Sequence, residues 1–104
     1  MNGSQWIERL RSNTTDPEGN ILNDRAAMFA ETVAKYADDD GFIPSTSFHE
    51  WRKRTGDEIG WKGCRWALRQ LRKAGWLENA GHGDYGVNQT LTAPDWAHFD
   101  DTTE

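Results

Sequence analysis

The sequence predicts an α+β fold, mainly helical, in which a three-helix core carries a small antiparallel β-hairpin and follows a short N-terminal helix. Apolar residues recur three and four positions apart over residues 24–38 and again over 61–74, which is typical of amphipathic helices. Between them, Ser47 and Glu50 have the spacing of a capping box. After residue 75, two short apolar segments flank a polar stretch with three glycines, as in a hairpin.

Composition indicates a globular protein of about one domain. The chain has 104 residues, 36% of them hydrophobic and 28% charged. Six tryptophans and four phenylalanines supply much of the apolar area for a core. The single cysteine, Cys64, cannot form an intramolecular disulfide. We expect a cytoplasmic protein without a membrane partner, because no apolar run reaches ~18–20 residues and no signal-peptide pattern begins the chain.

Three regions follow from the pattern along the chain. Residues 1–22 comprise a short N-terminal helix, with Ser4 as its cap, and a loop rich in turn-forming residues. Residues 23–91 form the main domain. Residues 92–104 form a C-terminal segment in which Trp96 and Phe99 are expected to pack on the body before an acidic tail.

The first core helix begins at Asn23 or Asp24 and is expected to end near Asp38, where three aspartates and Gly41 follow. Residues 42–44 then make a very short extended piece. Pro44 lacks a backbone donor, so this piece is predicted to be an edge strand.

The second core helix is predicted to start at the capping box of Ser47 and Glu50. It buries Phe48 and Trp51 in this prediction and ends at Gly56, since glycine adopts the left-handed conformation after a helix.

The third core helix, 61–74, has two distinct faces. One arc is apolar and is expected to face the core: Trp61, Cys64, Ala67, Leu68, Leu71 and Ala74. The opposite arc carries five cations and one aromatic residue: Lys62, Arg65, Trp66, Arg69, Arg72 and Lys73. Gly75 ends the helix, Trp76 and Leu77 begin a strand, residues 79–86 are predicted as a polar turn, and residues 87–91 return as the second strand.

Charge is strongly segregated along the chain. The net charge of −5 alone disfavours a polyanionic partner. Between Phe48 and Gly75, however, eight basic residues against three acidic ones give +5, whereas the rest of the chain, with four basic and fourteen acidic residues, carries −10. Because the local potential steers a polyanion, the 48–75 segment is compatible with binding to nucleic acid.

The order of elements over residues 24–91 resembles the winged helix-turn-helix family. The run "WRKRTG" is similar to the end of the family's second helix, and "CRWALRQLRKAGWL" is similar to its third helix and the entry to the wing. This resemblance implies a DNA-binding protein of the transcription-regulator or plasmid or phage replication-initiator type. It does not choose between those two roles, and it implies neither a cofactor nor enzymatic activity.

The resemblance also implies which residues contact double-stranded DNA. An α-helix fits the major groove, so Lys62, Arg65, Trp66 and Arg69 are placed to reach the bases, with Arg65 and Arg69 the best candidates for guanine. Phosphate contacts are expected from a larger basic set: Arg52, Lys53, Arg54, Arg72 and Lys73. The wing departs from the family pattern, because residues 79–86 hold no Lys or Arg and only Asn79 and His82 could help.

Alternatives remain open at this point. The basic arc could be a solvated face, and Trp66 could be covered by Trp6 or Trp96. The chain could instead be a protein-interaction module, such as a phage or mobile-element inhibitor of a host machine. A homodimer could form through residues 6–10 or through Trp96 and Phe99, although a monomer that folds these residues onto itself explains them equally well.

Metal binding and catalysis find no support in the motifs. Cys64 and the three histidines, His49, His82 and His98, match no zinc-ligand spacing. His49 and Glu50 lack the second histidine of an HExxH motif, and the glycines at 81, 83 and 86 follow no phosphate-loop pattern. We therefore expect no metal and no enzymatic activity.

Overall fold

A computed structural model describes residues 1–97 of the chain. Its helices are α1 (Gly3–Ser12), α2 (Asp24–Tyr36), α3 (Phe48–Arg54) and α4 (Trp61–Lys73), and its strands are β1 (Phe42–Ile43), β2 (Leu77–Gly83) and β3 (Gly86–Leu91). The α+β prediction is confirmed, with four helices and a three-stranded antiparallel sheet. The predictions made for His98, Phe99 and the acidic tail lie outside the described residues.

Helix α1 begins earlier than the sequence suggested. The side chain of Asn2 accepts a hydrogen bond from the backbone N–H of Gln5, and the side chain of Gln5 accepts one from the backbone N–H of Asn2. This is a reciprocal capping box. The prediction of Ser4 as the cap was wrong, because Asn2 satisfies the free donors of the first turn.

Helices α2 and α3 begin as predicted. Asn23 caps α2 by accepting from the backbone N–H of Arg25 at 2.7 Å. Ser47 Oγ caps α3 by accepting from the backbone N–H of Glu50 at 3.1 Å. The carboxylate of Glu50 lies 3.4 Å from Arg54 Nε. The expected capping box is therefore half formed, with Ser47 capping the helix and Glu50 paired with Arg54 instead.

Helix α2 ends at Tyr36, two residues before Asp38, because Ala37 is already extended. Asp38 instead organises the turn that leads into β1. One of its carboxylate oxygens accepts from the backbone N–H groups of Asp40 and Phe42, at 2.9 and 2.8 Å. Gly41 takes a positive φ of 83° in this turn, a conformation that costs glycine little.

The sheet has the order β1–β3–β2, so β1 is an edge strand as Pro44 predicted. The hairpin between β2 and β3 is longer than expected. Asn79 pairs with Gln89, and Gly83 pairs with Gly86, which leaves a turn of only two residues, 84 and 85. The prediction of residues 79–86 as a turn was therefore wrong. A shift in the strand register lies between Asn79 and His82, where Gly81 has a φ of 100°.

The core lies between the helices and the sheet. From α4 it receives Cys64, Ala67 and Leu71, while Leu68 and Ala74 are half-buried. Trp51 of α3 is buried, and Phe48 is half-buried. Trp61, which the helical arc placed toward the core, is 38% exposed. It is the first residue of α4, and its ring lies 6.0 Å from that of the exposed His49.

Helix α1 is joined to both α2 and the sheet. A Cβ atom on Gly3 would collide with the backbone carbonyl of Ala34 in α2, so the two helices approach very closely there. The fully buried indole of Trp6 donates from Nε1 to the carbonyl oxygens of Trp76 and Thr92, at 3.0 and 2.8 Å. Trp96 packs edge-on against Trp76 at 6.2 Å, as expected for a segment that lies on the body.

Within residues 1–97, no helix combines the length and the apolar character that crossing a bilayer requires.

Candidate functional site

The outward face of α4 carries the six residues that the sequence analysis placed there. All six are exposed: Lys62, Arg65, Trp66, Arg69, Arg72 and Lys73. The helix is fixed against α2 and α3 by its buried face. Its N-terminal turn is also close-packed, because a Cβ atom on Gly63 would press against the side chain of Ile59. The outer side chains are thus presented by a helix with a fixed orientation.

The cations of α4 have no acidic partner among the residues that the structure describes. The ion pairs found there join Arg11 to Glu31, Arg52 to Asp57, and Arg54 to Glu50. Lys62 Nζ lies 5.6 Å from the ring centre of Trp61, an aromatic contact that leaves its charge uncompensated. A row of five uncompensated cations on one helix produces a local positive potential despite the negative total charge.

The three cations of α3 differ from one another. Lys53 is exposed and has no ion pair within residues 1–97. The Nε atom of Arg52 lies 3.2 Å from a carboxylate oxygen of Asp57.

Arg54 makes the most contacts of the three. Its guanidinium carbon lies 4.2 Å from the ring centre of Tyr36 and 4.9 Å from that of Trp51, and its Nε lies 3.4 Å from a carboxylate oxygen of Glu50. Only Lys53 of this group is therefore as available to a partner as the cations of α4.

Trp66 lies at the junction of three surface depressions and is 40% exposed. The described termini do not cover it, because Trp6 is fully buried and Trp96 packs on Trp76. The first depression, which we call the basic cleft, has a volume of about 670 Å³ and lies between α4 and β2. Its lining includes Trp66, Arg69, Arg72, Lys73, Glu78 and Asn79.

The other two depressions beside Trp66 have an acidic character. The loop groove, about 630 Å³, separates α4 from the loop between α1 and α2, and its lining includes Asp16, Glu18, Ile21, Trp66, Lys73 and Trp96. The α2 cleft, about 670 Å³, lies at the start of α2 and is lined by Asn23, Asp24, Arg25, Met28, Glu58 and Trp66. These acidic neighbours come from segments distant in sequence, so no local pattern could have indicated them.

Asp16 holds the loop groove in shape. Its carboxylate accepts hydrogen bonds from the side-chain amide of Asn20 and from the backbone N–H groups of Asn20 and Glu18, at 2.8–3.0 Å. These bonds, led by the one from the Asn20 side chain, lower the pKa of Asp16 below its ordinary value. The loop therefore keeps a negative charge beside Trp66 down to low pH.

The predicted wing residues lie in β2 rather than in a turn. Asn79 lines the basic cleft, and its side chain accepts from the backbone N–H of Gly81 at 2.8 Å. His82 is exposed and pairs with Val87 across the hairpin. The tip is Asp84 and the exposed Tyr85, whose backbone N–H donates to Ser45 Oγ at 3.1 Å. Residues 77–91 hold no Lys or Arg, so the hairpin brings no cation beside α4.

The structure assembles no metal site from the residues that it describes. Within residues 1–97, no three His, Cys, Asp or Glu side chains lie together in a way that could hold a metal ion. Cys64 is buried, its sulfur lies 3.7 Å from the carbonyl oxygen of Ile59, and burial raises the pKa of the thiol. A raised pKa makes this cysteine a poor nucleophile at neutral pH.

Comparisons of this chain with protein-family models, with curated proteins and with solved structures found no match.

Proposed function

We propose that the chain is a winged-helix DNA-binding protein that inserts α4 into the major groove of double-stranded DNA. The observation that carries this proposal is the outward face of α4, with five cations that have no acidic partner among residues 1–97. The element order supports it, since α2, α3 and α4 precede a hairpin that pairs with β1, as in a winged helix. A regulator of transcription or a replication accessory factor would use such a surface.

The side chains divide between bases and phosphates. Arg65 and Arg69 are long enough to reach base edges, and a bidentate pair with guanine discriminates against a wrong base by about 1–3 kcal/mol. Lys62, Arg72 and Lys73 flank them and would meet phosphates, with Lys53 adding a further contact from α3. Arg52 and Arg54 have partners within the chain, so we assign them a smaller share of the phosphate contacts.

Trp66 and the hairpin contribute little to DNA binding in this proposal. Trp66 lines two depressions in which acidic residues outnumber basic ones, so we place it at the edge of the DNA surface rather than on a base. The hairpin offers the neutral side chain of Asn79 and the imidazole of His82, with Asp84 at its tip. Since Asp84 would be repelled by a phosphate, we propose that the wing adds little affinity.

A fluorescence-anisotropy titration of a random duplex, repeated at increasing salt, tests the proposal. Neutralising about five phosphates should make the logarithm of the binding constant fall with the logarithm of salt with a slope of roughly −4 to −5. The absence of salt-sensitive binding at micromolar protein would contradict it.

Variants separate the two kinds of contact. Lys53→Ala should weaken binding to all duplexes alike and reduce the salt slope by about 1, whereas Arg69→Ala should relax sequence preference in a selection from a random duplex pool. Lys35→Ala is the matched control, because it removes one exposed charge from α2. Equal effects of Lys35→Ala and Lys53→Ala would mean that charge alone, and not this surface, governs binding.

A second candidate function is a protein-interaction module, such as a phage or mobile-element inhibitor of a host machine. The observation that favours it is the group of exposed apolar side chains around Trp66, which includes Ile21 and Met28. A pull-down from nuclease-treated lysate separates the two functions. A host protein that is retained by the wild type and lost with Trp66→Ser favours the second, and loss of all partners with the nucleic acid favours the first.

A further inference from the structure

A group of exposed apolar side chains surrounds Trp66. Trp66 is 40% exposed, Ile21 73% and Met28 46%, and Trp96 is half-buried. Ile21 and Trp96 share the loop groove with Trp66, and Met28 shares the α2 cleft with it. Isolated exposed apolar residues are ordinary on a protein surface, but a group of four that consists of a tryptophan and three neighbours is typical of an interaction site. We call this group the Trp66 patch.

The rim of the Trp66 patch has two halves of opposite charge. Arg69, Arg72 and Lys73 line the basic cleft, together with a single carboxylate, Glu78. The loop groove and the α2 cleft bring four carboxylates to the same tryptophan, Asp16, Glu18, Asp24 and Glu58, against two cations, Lys73 and Arg25. Within residues 1–97 no ion pair joins one half to the other, so both halves keep their charge for a partner.

Such an arrangement complements itself under a two-fold rotation. When two copies meet with Trp66 near the rotation axis, the basic half of each copy faces the acidic half of the other, and the apolar centres are buried together. Two-fold interfaces use the same patch on both subunits and require this self-complementarity. We propose that the Trp66 patch is the interface of a symmetric homodimer, with Trp66 near the axis.

Other occupants fit less well. DNA would be attracted to the basic half and repelled by the four carboxylates of the other half. A basic peptide would be attracted to the carboxylates and repelled by the cations of the basic half. The α1 surface is not an alternative dimer site, since Trp6 and Leu10 are fully buried in their own chain. A second copy offers opposite charge to both halves at once. Dimer formation requires no nucleic acid, so this proposal goes beyond DNA binding.

Sedimentation equilibrium of the DNA-free full chain over a wide concentration range tests the proposal. The wild type should show a monomer–dimer equilibrium, and Trp66→Ser should raise the dissociation constant about tenfold or more, because a central tryptophan is a typical interface hot spot. Trp61→Ser is the matched control. Trp61 is also in α4 and is similarly exposed, at 38%, but it does not line the three depressions around Trp66, so its loss should leave the equilibrium unchanged.

Charge reversal makes the test specific to the proposed orientation. One variant carries Arg69→Glu with Arg72→Glu and the other carries Glu18→Lys with Glu58→Lys, and all four side chains are exposed in the monomer. Each variant alone should stay monomeric because like charges then meet across the axis, while an equimolar mixture should form a heterodimer. Circular dichroism checks that both variants fold. A wild type that is monomeric up to about 1 mM, a dimer insensitive to Trp66→Ser, or a mixture that does not associate would each overturn the proposal.

Discussion

At the scale of single residues, Arg54 is held by its surroundings. Its guanidinium stacks on Tyr36 and Trp51 and pairs with Glu50, and its side chain is only 21% exposed. A partly desolvated cation–π contact contributes about 1–2 kcal/mol. We therefore expect Arg54→Ala to lower the free energy of unfolding by about 1–2 kcal/mol, as measured by urea denaturation.

Lys53→Ala is the control for this prediction. Lys53 is exposed and has no ion pair within residues 1–97, so its loss should change stability by less than about 0.5 kcal/mol. In DNA binding the order should be reversed, and Lys53→Ala should weaken the affinity more than Arg54→Ala does. Equal stabilities of the two variants would show that the stacking on Tyr36 contributes nothing.

The outer residues of α4 could be predicted from the sequence, but the partners of Arg54 could not. A rotation of 100° per residue determines which side of a helix a residue occupies, and this was sufficient for Arg65 and Arg69. The stacking of Arg54 on Tyr36 depends on how α2 and α3 pack, which periodicity does not describe. The exposure of Trp61 could not be predicted for a related reason, because a helical arc gives the direction of a side chain and not what packs against it.

At the scale of elements, α4 begins without a side-chain cap. Gly60 occupies its N-cap position with an extended backbone, and a Cβ atom there would meet no other atom within 4 Å. A serine at this position could accept a hydrogen bond from the first turn and would also restrict the unfolded chain. We expect Gly60→Ser to raise the free energy of unfolding by about 0.5–1 kcal/mol in urea denaturation.

Gly56 provides the control for the cap. A Cβ atom on Gly56 would also meet open space, but its φ is +69°, which is costly for residues other than glycine. Gly56→Ser should therefore lower the stability while Gly60→Ser raises it. If both changes act in the same direction, the cap does not account for the effect.

The stability that the loop between α1 and α2 contributes should depend on pH, because it depends on the ionised carboxylate of Asp16. Hydrogen bonds from Asn20 and Glu18 lower the pKa of its carboxyl group in the folded protein. The resulting stabilisation is complete above the ordinary pKa of an aspartate and is lost as the pH falls through the lowered folded value. Carboxyl carbon shifts in NMR should show Asp16 titrating below an ordinary aspartate. Asn20→Ala should raise the pKa, and an unchanged titration in that variant would contradict this account.

Helices were easier to predict than the hairpin because their signals are local. Asn23 and Ser47 cap α2 and α3 where the sequence suggested, since a cap depends on residues three or fewer positions away. Strand β2 is mostly exposed and contains two glycines, so it lacks the alternation of apolar and polar residues that reveals a strand. Glycines in a polar stretch indicate a turn, but in the structure Gly81 lies at a register shift and Gly83 ends the strand.

At the scale of the whole molecule, charge is separated in space as well as in sequence. The positive segment 48–75 lies in an otherwise acidic chain, and five of its eight cations share the exposed face of α4. The approach of Asp16, Glu18 and Glu58 to Trp66 could not be predicted, because it depends on the tertiary packing of distant segments. The same molecule thus presents an all-basic surface and a surface of mixed charge, which meet at the C-terminal half of α4.

The two proposals together predict competition between DNA and a second copy of the chain. Arg69, Arg72 and Lys73 belong to both surfaces, so DNA should bind the monomer and shift the dimer toward dissociation, and the dimer should weaken DNA binding by the same factor. Sedimentation of a fluorescently labelled short duplex should then show one chain per duplex. Trp66→Ser should bind DNA as well as the wild type at low protein concentration and more tightly at high concentration, where only the wild type forms dimers. Two chains per duplex in the wild type, reduced to one by Trp66→Ser, would contradict this competition and mean that the dimer leaves its DNA surface open.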